Sequence, residues 1–552
     1  MPQSRRKQVV FELERAEDRE RWWVREDMYT AEPRTPLSAA VYNTIWDESS
    51  LWIAERLSFP TSRGFNVRTV GGYTYLGPLE VTDQSEIESR TEVFLARVRA
   101  LVEGFDEQVR DTRAQQEAIT ARWRATELAG MGAIDLLAHW RAAVLDLAQA
   151  HRWHFLIAFP RHAVTDRLER FGRTTGAIPG PTDLGRICQS ARVTQRDLFE
   201  ERLWQLVEAT QGTDLFNLLL EHTAEELPEK IKAAPGGASW WEQFRAAVDR
   251  YDKLTVPKEI SSPALSERPE PVLEQVRTYA GLGEGHTAAM RASLRAADRD
   301  RALTAALASL EDESDRAELR EQADDAERMQ VATEDDNVYL LPAGVIVRRV
   351  ALAIGEALAS AGRFESVDDV FYLRSEEMEQ AVKDLPARTP TPDLRPLVAA
   401  RRHERELQRS AAPPPRIGEV PAQVDNFMLN KFWGMPVGTD DAPIPGGQLK
   451  GIGASDGLVE GPAHVALSLE DLEGLAPGAI LVVPATNPAW MHAFVRIAGI
   501  VTDQGGSLSH AAVVAREYRI PAVLGTQRAT LDIQHGRIIR IDGTNGTVEI
   551  LK

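Results

Sequence analysis

The feature that most constrains this chain is the stretch VTDQGGSLSHAAVVAREYRIPAVLG, residues 501–525. An apolar run leads into a Gly505-Gly506 turn, and the small residues that follow predict a helix beginning at about Ser509. His510 then falls in the first helical turn, where free backbone N–H groups and the positive helix end favour an anion. Two glycines let the backbone approach a ligand closely. The pattern suits a phosphoryl group on His510, whereas a lone histidine at a helix start is ordinarily structural.

The string GGSLSHAAVVARE, followed by IPAVLG, resembles the phosphohistidine motif of the mobile swivelling domain. This domain is shared by phosphoenolpyruvate synthase, pyruvate phosphate dikinase and rifampin phosphotransferase. The resemblance implies that His510 carries a phosphoryl group as a covalent intermediate. It also implies supporting roles for Gly505, Gly506 and Ser509, and Thr486 stands where the family has a threonine that faces the phosphohistidine loop.

The sequence divides into three predicted regions. Residues 448–552 open with QLKGIGASDGLVEGPAHV and end in two strands about Asn545-Gly546, which predicts a compact α/β swivelling domain. Residues 411–447 contain PVGTDDAPIPGG, whose composition suits an ordinary linker or a swivel hinge, and the histidine motif favours the hinge. Residues 1–410 show mainly helical periodicity, with a β-hairpin predicted at Phe65–Pro78. The expected fold is therefore a mainly α-helical substrate domain with a small β-hairpin, plus a C-terminal α/β phosphohistidine domain.

Two blocks within residues 1–410 resemble the substrate domain of rifampin phosphotransferase. One includes the Gly-Tyr-x-Tyr strand at residues 72–75, and the other, residues 333–378, contains EDDNVY and DVFYL. The family carries an Arg and a Lys for phosphate contact where this chain has Glu334 and Val338. The departure suggests a different acceptor from a rifamycin.

Five residues of the second block are candidates for chemistry at the acceptor. The carboxylates of Glu334, Asp335 and Asp336 suit a base or a metal contact. Arg348 or Arg349 suits bidentate stabilisation of the transferring phosphoryl group. The alternative interpretation is an acidic cluster at a helix N-terminus with solvated or ion-paired arginines.

His151 and His154 have the i, i+3 spacing of a metal pair on a helix. Since no matching carboxylate or cysteine pattern accompanies them, a structural role is favoured and no metal site is predicted.

Composition narrows the function further. The net charge of -19 argues against nucleic acid as a main partner. One cysteine excludes an internal disulfide framework and suggests a reducing compartment. The longest apolar candidate, Ala343–Ala359, is interrupted by charged residues, and the N-terminus lacks the apolar core of a secretory signal. We therefore expect a cytoplasmic protein without a membrane partner.

Residues 1–447 show no Gly-rich phosphate loop in a strand-rich context, and the 42 residues after His510 are too few for a (β/α)8 barrel of about 250. We therefore expect a carrier and acceptor-substrate domain that needs a separate ATP-grasp subunit, which binds ATP and Mg²⁺. This arrangement resembles phenylphosphate synthase and the 4-cresol phosphorylating enzymes. The resemblance implies that His510 receives the β-phosphoryl of ATP and passes it to a small aromatic hydroxyl acceptor. Two alternatives stay open: phosphorylation of another hydroxylated molecule, such as an antibiotic, and a noncatalytic phosphocarrier or regulatory module.

Overall fold

A computed structural model describes most of the chain. The described residues are 9, 11–26, 32–256, 258–282, 287–385, 392–411, 413–421, 448–467, 470–472, 474–486, 490–494, 496–507 and 509–551. Most of the predicted linker at 411–447 lies outside the described residues.

The first part of the chain is mainly helical, as predicted. Its α-helices are α1 (Ala16–Arg19), α2 (Pro36–Leu57), α3 (Gln84–Glu103), α4 (Phe105–Ala125), α5 (Ala133–Thr175), α6 (Pro181–Cys188), α7 (Gln195–Glu208), α8 (Asp214–Glu221), α9 (Leu227–Ala233), α10 (Gly237–Arg250), α11 (Glu270–Leu282), α12 (Ala288–Ala308), α13 (Glu313–Ser360), α14 (Ser375–Asp384) and α15 (Arg395–Arg409). A 3₁₀ helix spans Val367–Tyr372.

Two long helices, α5 and α13, form the centre of this helical region. They run side by side in opposite directions, because His154 pairs with Asp336 while Arg161, two turns later on α5, pairs with Gln330. At 1.5 Å per residue, α5 is about 65 Å long and α13 about 72 Å. Their apolar faces share one core with α2 and the neighbouring hairpin.

The predicted hairpin is confirmed. It consists of β2 (Ser62–Val70) and β3 (Tyr73–Glu80), which are preceded in the chain by β1 (Trp23–Arg25) and followed by β4 (Arg416–Ile417). The turn residues Gly71 and Gly72 both have positive φ, 57° and 86°, as a two-residue hairpin of type I′ requires. In the sheet, β1 pairs with β3 on one side and with β4 on the other, so residues 416–417 return to the start of the chain.

The last part of the chain forms an eight-stranded α/β sheet. Its strands are β5 (Gln448–Lys450), β6 (Ile452–Ser455), β7 (Leu458–Val465), β8 (Ile480–Val483), β9 (Gly499–Thr502), β10 (Ala522–Leu524), β11 (Ile538–Asp542) and β12 (Thr547–Ile550). They are ordered β5-β12-β11-β7-β8-β9-β10-β6, with β7, β8, β9 and β10 parallel.

Short helices cover this sheet: α16 (Met491–Phe494), α17 (His510–Tyr518) and α18 (Ala529–Asp532), together with a 3₁₀ turn at Glu470–Leu472. Leu481 and Val483 pack with α17, while Ile480 and Val482 pack with α18 and the closing β11–β12 hairpin. Because side chains alternate between the faces of a strand, these two clusters lie on opposite faces of the sheet. The expected combination of a helical region and a small C-terminal α/β unit is confirmed.

Among the described residues, α13 alone is long and apolar enough to cross a membrane by length and composition. In this fold 61% of its apolar window is buried, since it packs against α5 and α2 in the helical core.

Packing at the C-terminal part of α13 generates a stability prediction. A Cβ at Gly355 would lie 2.2 Å from the Val367 carbonyl oxygen, so Gly355→Ala forces the 3₁₀ segment away. We expect a loss of about 1–3 kcal/mol in the free energy of unfolding, measured by urea denaturation. The matched control is Gly281→Ala in α11, where a Cβ meets no atom within 4 Å and helix propensity predicts a gain of about 1 kcal/mol. Equal effects at both glycines would contradict the packing described here.

Candidate functional site

The loop before α17 has the backbone of a helix-start anion site. Strand β9 ends at Thr502, and Gly505 has φ +119°, a conformation that side chains rarely adopt. Ser509 is the N-cap of α17, and its hydroxyl accepts a bond of 3.4 Å from the Ala512 N–H. The helix begins at His510, as predicted. The structure describes the backbone of His510 and not its side chain.

Two neighbours stabilise or flank this loop. Asp503 accepts a 3.0 Å bond from the Thr530 N–H, which ties the loop to the start of α18. Thr486 is buried just after β8. At Gly506 the space beside the backbone is open, since a Cβ there would meet no atom within 4 Å. The roles of Thr486, Gly505, Gly506 and Ser509 around a phosphohistidine stay predictions.

The end of α17 is seated on the helical region through a buried ion-pair cluster. Glu517 accepts from Arg196 of α7 and, at 3.2 Å, from Arg295 of α12. Arg295 also donates to Asp197 at 2.6 Å. The Glu517 side chain is 1% exposed. Residue 510 lies seven positions, or about 10 Å, before Glu517, and positions seven apart share one helix face.

Arg516 connects the phosphohistidine loop to the same interface. Its Nη1 donates to the carbonyl oxygens of Ser507 at 2.9 Å and Ala454 at 3.1 Å. Burial lowers the pKa of this arginine to about 10. Gly185 of α6 faces this contact, since a Cβ there would lie 2.8 Å from Arg516 Nη1 and 3.1 Å from the Ser507 oxygen. The loop therefore rests directly on α6.

The three candidate carboxylates of α13 face three different surroundings, because successive helical residues are rotated by about 100°. They do not start a helix, contrary to the alternative interpretation, since α13 runs unbroken from Glu313 to Ser360. Its apolar face continues through this region, and Pro342 lies inside the helix.

Glu334 lies at the interface with α17. It accepts a 2.7 Å bond from Gln330, and burial raises the pKa of its carboxyl group, opposed chiefly by the charge of Arg196. Asp335 instead accepts from the Gln195 N–H at 2.7 Å and Arg113 at 3.3 Å, and burial also raises its pKa.

Asp336 faces α5. It is 0% exposed, and its Oδ2 lies 2.8 Å from Nδ1 of His154.

The two candidate arginines tie α13 to neighbouring segments. Arg348 donates to Glu267 at 2.7 Å and to the carbonyl oxygens of Ile260 and Ser261 at 3.0 and 2.9 Å. Arg349 donates to the Trp123 carbonyl oxygen at 3.1 Å. A role in phosphoryl transfer stays a prediction for both.

The structure also shows a polar cluster that the sequence did not reveal as a unit, between α2, α5 and the loop after α10. We call it the inner polar cluster: Arg34, Tyr42, Trp46, His151, His154 and Lys258. The spacing of His151 and His154 was a signal, but it suggested a metal pair. Among the described residues no group of three or more His, Cys, Asp or Glu side chains is arranged to hold a metal ion.

Aromatic rings and cations alternate through the inner polar cluster. The Arg34 guanidinium carbon lies 5.6 Å from the ring centroids of Tyr42 and Trp46, and Lys258 Nζ lies 3.7 Å from that of Trp46. Burial lowers the pKa of Lys258 well below its ordinary value. The rings of Tyr42 and His151 meet edge to face at 6.0 Å. The cluster thus places buried aromatic rings beside desolvated basic groups.

A cavity of about 560 Å³ lies on another side of α13. Its lining residues are Glu117, Thr120, Ala121, Arg124, Gln195, Ala246, Asp249, Arg250, Val338, Tyr339 and Pro342. Val338 lines this cavity, which lies away from the inner polar cluster.

Comparison with known proteins agrees with the loop geometry. Residues 475–546 match the mobile domain of PEP-utilising enzymes. Rifampicin phosphotransferase of Streptomyces sp is 33% identical over 333 residues, 59% of this chain and 36% of that protein. The uncharacterized phosphotransferase YvkC of Bacillus subtilis is 26% identical over 407 residues, 73% of this chain and 47% of that protein. Chondramide synthase cmdD of Chondromyces crocatus is 31% identical over 373 residues, 63% of this chain and 9% of that protein.

The fold and the loop thus define an α/β domain with a capped helix start that suits an anion. Over residues 475–546 the chain carries the mobile domain of PEP-utilising enzymes, and phosphotransferases are among the proteins that it resembles. It spans less than half the length of each relative named above.

The contact at Gly185 generates a prediction about docking. Gly185→Val places a side chain against Arg516 and the Ser507 carbonyl, so the C-terminal domain should leave α6 and the radius of gyration from small-angle X-ray scattering should rise. The matched control is Gly180→Val, just before α6, where a Cβ meets no atom within 4 Å. An unchanged radius of gyration for Gly185→Val would contradict the interface.

Proposed function

We propose that this chain is the histidine-bearing component of a dikinase-type phosphotransferase. A separate ATP-grasp protein transfers the β-phosphoryl group of ATP to His510, while water takes up the γ-phosphoryl group, so that AMP and orthophosphate are released. His510 then passes the phosphoryl group to the hydroxyl of a small aromatic acceptor, of phenol or 4-cresol type, held by the helical region. The observation that carries the proposal is the motif GGSLSH folded as a glycine loop and a capped helix start on a PEP-utilising mobile domain.

The helix start explains the first half of the reaction. Backbone N–H groups of the first turn have no partner within the helix, and together with the helix dipole they favour the negative charge of a phosphoryl group. A neutral imidazole is a competent nucleophile, and the resulting phosphorus–nitrogen bond preserves the group during domain movement. In this proposal ATP and Mg²⁺ bind to the separate ATP-grasp protein.

The inner polar cluster supports the second half. Trp46 and Tyr42, buried to 1% and 2% exposure, lie beside the Arg34 guanidinium and the Lys258 amine, and these basic groups would stabilise the oxygens of a transferring phosphoryl group on an aromatic acceptor bound here. A pure carrier needs no such cluster, which argues against the noncatalytic alternative.

Movement of the C-terminal domain completes the cycle. The interface at Glu517 and Arg516 buries charges whose desolvation offsets much of their attraction, so its net stabilisation is small enough for release. If the 12 residues of Pro436–Gly447 act as the hinge, their full extension spans at most about 40 Å.

We place the protein in the cytoplasm, with neither nucleic acid nor membrane as a partner.

A second candidate acceptor is an antibiotic hydroxyl. Relatives named rifampicin phosphotransferase are 30–33% identical over 333 residues and favour this alternative. The replacement of the family's phosphate-contacting Arg and Lys by Glu334 and Val338 argues against the same acceptor.

The test uses the chain with a dikinase-type ATP-grasp protein, Mg²⁺, ATP labelled at the β-phosphorus and a panel of phenol, 4-cresol and rifampicin. We expect label first on the chain and then in one acceptor, and we expect His510→Ala to abolish both. The matched control is His535→Ala, an exposed histidine of the same domain that should retain both steps.

Acceptor phosphorylation that survives His510→Ala would overturn the proposal. Label that reaches His510 and no acceptor in the panel would leave only the phosphocarrier function.

A further inference from the structure

Asp336 orients the imidazole of His154. The carboxylate is 0% exposed and its Oδ2 lies 2.8 Å from Nδ1 of the ring, so Nδ1 carries the proton and donates it to the bond. That bond fixes the tautomer in which Nε2 has its lone pair free. A carboxylate–histidine pair of this kind is the arrangement by which proteins hold a histidine ready to accept a proton.

The other ring nitrogen of His154 is available. Nε2 makes no hydrogen bond with any residue that the structure describes, and the side chain keeps 12% of its surface exposed. A nitrogen acceptor in this position needs a donor from water or from a ligand.

His151, one turn earlier on α5, has the same need. Its Nδ1 donates to the Leu147 carbonyl oxygen at 2.9 Å, while its Nε2 is buried without a partner. Burial, followed by the charge of Lys258, lowers the pKa of His151 to about 3, so its ring stays neutral. His151 therefore lacks a donor beside the ring of Tyr42, and Nε2 of His154, three residues later on α5, lacks one among the described residues. A hydroxyl-bearing aromatic molecule supplies both the donor and the ring.

We propose that His154, oriented by Asp336, is the general base that takes the proton from the acceptor hydroxyl during phosphoryl transfer from His510. This inference rests on the proposed function. It names the residue that accepts the proton and the side of α13 on which the acceptor binds.

The step balances as follows. The acceptor O–H bond breaks and its proton moves to His154 Nε2, while the oxygen forms a bond to the phosphorus on His510. The phosphorus–nitrogen bond breaks and its electron pair returns to the His510 ring, which takes up a proton from water. His154, now an imidazolium beside the Asp336 carboxylate, releases its proton to water.

The charged and titratable groups around His154 come from each packed element. They are Asp336 from α13 and His151 from α5. Tyr42 from α2 and Lys258 from the loop after α10 lie next to His151, with Glu259 near Tyr42 and Glu26 near Lys258. The Lys258 charge acts on His151 and disfavours a proton on that ring. Among the described residues Asp336 is the carboxylate that bonds to His154, and it stabilises the imidazolium that forms during transfer.

The experiment isolates the second half of the reaction. The chain is first labelled on His510 by the ATP-grasp partner, freed of ATP, and then mixed rapidly with phenol or with 4-nitrophenol, whose hydroxyl is far more acidic. We expect His154→Gln to accept label on His510 at the wild-type rate. Its transfer to phenol should fall by about 10²-fold. Transfer to 4-nitrophenol, which needs little help to lose its proton, should fall much less. The rise of the phenol rate with pH that we expect for wild type should disappear in this variant.

The ratio of the two transfer rates is measured on one preparation, so a loss of folded protein cancels from it. The matched control is His139→Gln, an α5 histidine whose ring contacts Trp123 and not the inner polar cluster. An unchanged ratio and an unchanged pH dependence in His154→Gln would overturn the inference while leaving the proposed function intact. Failure of labelled wild-type chain to phosphorylate any acceptor would instead overturn the proposed function.

Discussion

The packing of α5 against α13 determines where the polar groups of the helical region lie. Both helices are long enough to cross the whole region, and their shared apolar face fixes which side of each turn meets which neighbour. The consecutive residues Glu334, Asp335 and Asp336 consequently face the α17 interface, the start of α7 and the inner polar cluster. A rotation of α13 by one residue would exchange these surroundings, so the chemistry assigned to each carboxylate depends on this contact.

The C-terminal domain meets that framework through charges and not through a continuous apolar core. Its two hydrophobic clusters contain residues of its own sheet and helices only, whereas its described contacts with α6, α7 and α12 are dominated by Arg516, Glu517 and the arginines opposite them. The desolvation cost of burying such ion pairs offsets much of their mutual attraction. An interface of this kind gives orientation without strong adhesion, which is what a carrier that visits two sites requires.

The sequence predicted the elements whose causes are local. Backbone preferences that are visible in the residues themselves explain four of these elements. They are the Gly505-Gly506 turn, the helix start at Ser509, the Gly71-Gly72 hairpin and the helical character of residues 1–410. The inner polar cluster could not be predicted in the same way, because Tyr42, His151 and Lys258 are distant in sequence and meet only through the packing of α2, α5 and a loop. The alternative interpretation of Glu334, Asp335 and Asp336 as an acidic helix start is wrong, because α13 runs unbroken from Glu313 to Ser360.

The central claim is a double displacement in which His510 carries the phosphoryl group between two sites. The most direct measurement is the stereochemistry of transfer from ATP made chiral at the β-phosphorus with oxygen isotopes. Each in-line displacement inverts the configuration at phosphorus. Two displacements through His510 predict a phosphorylated acceptor with retained configuration, and inversion would show a single direct transfer and contradict this account.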